Sequence, residues 1–127
     1  MSRKILLVED NEQNRYLATF LLESSGFSVI HAPHGHAALT LASSELPDLI
    51  LMDIQMPEMD GYEAAARIRA TPGLGHIPLV AVTSYAMTGD RERAMRLGFS
   101  GYIEKPIVTE TFVAEISRYL PSPEAAS

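Results

Sequence analysis

The chain has 127 residues, 46% of them hydrophobic, which suits one domain with a substantial core. Ten basic residues against sixteen acidic ones give a formal charge of −6 and a pI near 5.1, a balance that argues against nucleic acid as the main partner, because phosphate binding needs a basic face. With no cysteine, no apolar run near the roughly 20 residues of a membrane span, and a start ("MSRKILLVED") that turns acidic before a signal-peptide core can form, the expectation is a soluble protein of the reducing cytoplasm with no membrane partner.

The first apolar run is "ILLV" at 5–8. A helix is predicted over residues 11–25, with Asn11 as its cap, Gly26 as its end, and Leu17 and Leu21 four apart with Phe20 beside them. The run "FSVI" follows at 27–30, then a helix over 35–44 in which Ala37 and Leu41 pair with Ala38 and Ala42. Next come "LILM" at 49–52, a helix over 61–70 with Ala65 and Ile68 inward, and a loop, "TPGLGH", at 71–76. The run "IPLVAV" at 77–82 leads to a mostly charged helix over 88–97, "DRERAMR" within it, anchored by Ala94 and Leu97. "GYI" at 101–103 precedes a helix over 108–120 with a clear stripe of Phe112, Ile116 and Leu120. Residues 1–120 are read as one domain and the tail "PSPEAAS", 121–127, as disordered.

Strands alternating with helices imply βαβ units, a parallel sheet and helices on both of its faces. That arrangement explains the continuous apolar runs, since such strands are buried on both sides. The first run ends in Glu9 and Asp10, the third in Asp53 and the fourth in Thr83, while the fifth reaches Lys105 before Pro106. In a parallel sheet all these ends share one edge, where ligands of open α/β sheets bind. Four strand ends thus bring three carboxylates, a hydroxyl and an ammonium to one place, with Asp53 delivered by its strand to the sheet edge rather than buried within it. Taken singly, Asp10 reads as a helix cap, Glu9 as a solvated loop acid, and Thr83 and Lys105 as ordinary residues; their coincidence on one edge favours a site.

Two carboxylates about 4 Å apart repel by roughly 4 kcal/mol at an effective dielectric of 20. One lysine cannot neutralise three acids, whereas a hard divalent cation such as Mg²⁺ can. A carboxylate beside that cation can act as a nucleophile and form an aspartyl-phosphate, whose oxygens call for ammonium and hydroxyl donors such as Lys105 and Thr83.

The motifs "VEDN" at 8–11, "LILMDIQMPEMDG" at 49–61, "VAVTSYA" at 80–86 and "GYIEKPI" at 101–107 resemble those of the receiver domains of bacterial two-component response regulators. The resemblance runs from residue 3 to about 120. It implies a flavodoxin-like (βα)5 α/β fold, a doubly wound parallel five-stranded sheet in the order 2-1-3-4-5, the order for which a receiver of this family is itself a standard example. It implies that Asp53 accepts a phosphoryl group from a sensor histidine kinase or histidine phosphotransfer protein. Glu9, Asp10, Asp53 and the backbone carbonyl of Gln55 would bind Mg²⁺, Thr83 and Lys105 would contact the phosphoryl group, and Tyr102 would turn inward when Thr83 moves. Glu9 stands where many receivers have Asp, keeping the charge with a longer reach. The Lys105–Pro106 bond is expected to be cis. The fourth helix, fifth strand and fifth helix would form the surface for a downstream protein target, with Arg91, Arg93, Arg96 and Tyr102 as contacts. With no output domain in view, the expected role is to bind other proteins or pass phosphate onward.

Two other readings fit part of this pattern. Aspartate-nucleophile phosphohydrolases of the haloacid dehalogenase type resemble "DxD", with an acid two positions after the nucleophile; here that position is Gln55, so no acid/base stands ready to speed turnover, and the chain is expected not to be an enzyme. A phosphate-independent interaction domain is the other alternative, against which the complete acidic cluster speaks. "HAPHGH" gathers His31, His34 and His36, three ligand types for a transition metal, although a solvated turn shaped by Pro33 and Gly35 is the favoured reading.

Overall fold

The computed structural model describes residues 3–54, 61–83 and 90–120. Five strands, β1 (Lys4–Val8), β2 (Ser28–Ala32), β3 (Leu49–Asp53), β4 (Leu79–Thr83) and β5 (Gly101–Glu104), alternate with five helices, α1 (Glu12–Ser24), α2 (Gly35–Glu45), α3 (Gly61–Ala70), α4 (Asp90–Arg96) and α5 (Phe112–Tyr119). All four strand pairings are parallel and the order is β2-β1-β3-β4-β5. This is the doubly wound α/β sheet implied by the sequence.

Period-two side-chain alternation splits the core into two layers. Leu6, Val8, Ile50, Met52 and Ala81 face α2, α3 and α4, against Ala38, Ala42, Ala64, Ala65, Ile68 and Ala94. Ile5, Leu7, Leu49, Leu51, Val80, Val82 and Ile103 face α1 and α5, against Ala18, Leu22, Phe112, Ile116 and Leu120. The interior strands β3 and β4 are buried along their whole length, whereas the edge strands β2 and β5 are partly open.

Local chemistry sets the ends of α1. The Asn11 side chain accepts from the Asn14 amide at 2.9 Å. At the other end Gly26 takes φ +94°, its amide donating to Glu23 O and that of Phe27 to Leu22 O, a left-handed helix stop that favours glycine. The buried face differs from the predicted one by one residue in phase. Ala18 and Leu22 are buried, Leu21 is half-buried, and Phe20 is 57% exposed. A four-residue spacing fits several faces of one helix, and the small Ala18 lets the backbone approach the sheet.

Other boundaries shift slightly. Phe27 lies before β2, Ile77 and Pro78 before β4, and residues 108–111 form a turn ahead of α5. The start of the fourth helix at residue 88 and the tail 121–127 lie outside the described residues. In α5, Phe112 and Ile116 are buried, with Leu120 at its end; each such side chain stabilises by roughly 1.5–3 kcal/mol. In α4, Ala94 alone is buried among the described side chains, so this helix has far less apolar area holding it down.

Candidate functional site

Sheet order reverses at β1, whose successor β2 lies on one side and β3 on the other, so a crevice opens beyond their carboxyl ends. Glu9 and Asp10 follow β1 directly, and Asp53 is the last residue of β3. One oxygen from each of these three carboxylates lies within 4.8 Å of the others. Lys105, just past β5, sends its Nζ to 2.9 Å from Glu9 Oε1 and 3.2 Å from Asp53 Oδ2. Thr83 ends β4, fully buried, and the Lys105 amide donates to its carbonyl at 2.7 Å. The peptide bond between Lys105 and Pro106 is cis.

Burial corrects one expectation. Asp53 is delivered to the edge, yet only 4% of it is exposed, and the same holds for Glu9; Asp10 is exposed. The cluster therefore keeps two acids out of water beside one ammonium. Burial above all, with the bonded Asp53 carboxylate adding to it, pushes Glu9 up to about 7 against the pull of Lys105. Burial opposes the charge on Lys105, but Glu9 and Asp53 together outweigh it and hold the ammonium above the ordinary lysine value.

The donor chemistry fits a hard cation. Three carboxylates supply oxygen alone, the ligand set Mg²⁺ prefers. Gln55, whose carbonyl was expected to join them, lies outside the described residues. Tyr102 is half-buried on β5 and packs against the core layer that includes Ala94 of α4 and Phe99. Of the expected surface arginines, Arg96 is exposed, while Arg93 lies over the Tyr62 ring, its guanidinium carbon 4.1 Å from the ring centre. The Arg91 side chain is outside the described set.

The histidines are placed structurally. His31 on β2 has its Nε2 at 2.9 Å from the Glu9 carbonyl; a carbonyl can only accept, so Nε2 donates and pins the backbone beneath the cluster. His34 caps α2, its Nδ1 accepting from the Ala37 amide at 3.2 Å, with the His36 ring edge-on at 6.1 Å. Among the described residues Glu9, Asp10 and Asp53 form the sole group suited to a metal. Sequence reasoning also missed Arg69 at the end of α3. Its guanidinium donates to the carbonyls of Gly98, Gly75 and Ile77 at 2.6–2.9 Å, stapling the end of α4 to the loop before β4. No one-dimensional pattern marks such a residue.

A family model described as the response regulator receiver domain matches residues 5–117. The chain belongs to the response regulator receiver domain family. The receiver is 45% identical over 120 residues to the polar-differentiation response regulator DivK of Brucella anthropi, covering 94% of this chain and 98% of that protein. Its fold matches chemotaxis protein CheY4 of Vibrio cholerae at a TM-score of 0.90, with 27% identity over 94% of this chain and all of that one. It also matches the receiver domain of sensor histidine kinase PA1611 from Pseudomonas aeruginosa at 0.88, with 34% identity over 96% and 100% of the two chains; that structure has a magnesium ion coordinated in its active site cleft. The receiver is thus a module of two-component signalling, and no described helix is long and apolar enough to cross a membrane.

Proposed function

We propose that this receiver is a phosphorylation-controlled binding module whose phosphoacceptor is Asp53. The reading rests on the Lys105 ammonium held between the Asp53 and Glu9 carboxylates at the carboxyl edge of the sheet. An Asp53 oxygen attacks the phosphorus of a phosphohistidine on a sensor kinase or phosphotransfer protein. The new O–P bond forms as the N–P bond breaks, and the imidazole keeps the electron pair. Lys105 and Thr83 then donate to the phosphoryl oxygens. Glu9, Asp10, Asp53 and the Gln55 carbonyl would hold Mg²⁺, which when bound would offset the charge gathered by acid and phosphate.

The response passes outward through Thr83 and Tyr102 to α4, in which Ala94 alone is buried among the described side chains. A two-state shift there needs little packing to be undone. The face of α4, β5 and α5 then binds a downstream target, or the phosphate moves on to a second histidine. The receiver acts in the cytoplasm and turns over its own phosphate slowly at most.

Acetyl phosphate with Mg²⁺ should add one phosphoryl group, read as a mass shift, and Asp53→Asn should abolish it. Stable stoichiometric labelling fits a switch; rapid multiple turnover would instead make the protein a phosphatase, and unchanged labelling of the variant would remove Asp53 from its role.

A further inference from the structure

A cleft of about 290 Å³ opens between β5 and α5, away from the acid cluster. Its floor is apolar, with Ile103 and Phe112 buried beneath it, and Val108 stands at the rim with 56% of its surface exposed. Two carboxylates, Glu104 and Glu115, line it together with the Thr111 side chain. Neither acid has an ion pair among the described residues. Lys105, next to Glu104 in the chain, is turned into the site and held by Glu9 and Asp53. Arg118, one turn beyond Glu115, makes no ion pair with it. Among the described residues no basic side chain lines the cleft.

A cleft with an apolar floor and two acids in its wall that no described side chain neutralises suits one kind of occupant. Arginine and lysine lay a hydrocarbon stem on apolar surface and carry a cation at its end. We propose that this cleft seats an arginine or lysine side chain of a partner protein, the stem on Ile103, Val108 and Phe112 and the cation between Glu104 and Glu115. The proposal rests on the reading of the α4, β5 and α5 face as the partner surface, and adds to it the chemistry of the contact. Tyr102 forms part of the cleft wall, so the seat changes shape when that ring moves. Binding of the cation is thereby tied to the state of Asp53.

The test is a titration of the isotope-labelled full chain, followed by amide NMR shifts, with three peptides: N-acetyl-Leu-Arg-Leu-amide, its lysine counterpart and its norleucine counterpart. The cationic peptides should shift the amides of Glu104, Val108, Thr111 and Glu115 saturably in the millimolar range, whereas norleucine, with the stem but no charge, should bind about fivefold more weakly. Glu104→Gln with Glu115→Gln should erase that difference without moving the melting temperature, and added salt should do the same. Pre-treatment with acetyl phosphate and Mg²⁺ should change the affinity of the cationic peptides in the native chain but not in Asp53→Asn. Equal binding of all three peptides, shifts confined to other surfaces, no saturable binding, or an affinity indifferent to phosphorylation would each overturn the proposal. So would self-association abolished by the same two glutamine substitutions, since the cation would then come from a second copy. Failure of Asp53 to be labelled is read separately by mass and bears on the phosphoacceptor, while the response of the unphosphorylated chain to the charge of the peptide still decides the seat.

Discussion

Replacing Glu9 by glutamine should stabilise the metal-free receiver, by a gain that grows as pH rises from about 4.5 and is complete above about 7. Glu9 is buried, and its pKa is raised from 4.5 to about 7, by burial first and by Asp53 second. Between these two values the unfolded chain has lost the proton that the folded chain keeps. The folded state binds more protons there, so stability falls as pH rises through the window. At about 1.4 kcal/mol per pKa unit, the ionised carboxylate costs the fold roughly 3 kcal/mol above pH 7. Lys105, whose pKa is raised, adds stability that is lost only as pH climbs through its own high pKa, so it is flat across this range. Glutamine carries no charge, its amide can donate to Asp53, and its carbonyl can accept from Lys105. For a chain of this size each kcal/mol moves the melting temperature by about 4 °C, so in chelator at pH 8 the variant should melt on the order of 10 °C above the native chain. At pH 5 the two should nearly coincide. Saturating Mg²⁺ should shrink or reverse the gain, because the variant has lost a ligand. A variant that melts below the native protein at pH 8 without metal, or a gap equal at both pH values, would refute the reasoning.

Other substitutions test the remaining parts of the architecture. Lys105→Met leaves two buried acids without their cation and should cost roughly 3 kcal/mol in chelator at pH 8, read by urea unfolding, with part of the loss recovered at pH 5. Arg69→Met strands the carbonyls of Gly75, Ile77 and Gly98 and should cost roughly 2–3 kcal/mol by the same assay; Arg69→Lys should restore only a minor part, because one ammonium lacks the planar fork. Gly101→Ala drives a methyl into the Tyr119 ring and should lower stability by about 1–3 kcal/mol. Adding Tyr119→Ala should make the pair less costly than the sum of the two single changes.

The alternation of strand and helix was legible in the sequence because the signals behind it are short-range. Apolar runs of three to six residues, the Asn11 cap and the Gly26 stop each act within one turn or one strand, and none needs a distant partner to form. The parallel sheet follows from those elements by connection rules, and it aligns Glu9, Asp10, Asp53, Thr83 and Lys105 on one edge. The strand order was legible only through the family motifs that the chain carries. Tertiary structure decided the rest. Whether Asp53 meets water depends on what packs over the end of β3, and 52 positions separate it from the lysine that bonds it. The face of α1 that is buried depends on how close the helix can come to the sheet, which Ala18 permits and hydrophobic spacing does not record. His31 beneath Glu9, Arg93 on Tyr62 and Arg69 across three carbonyls are contacts between elements brought together by folding. Periodicity describes one element against an unspecified core; the charge state of Glu9 depends on which groups that core sets beside it.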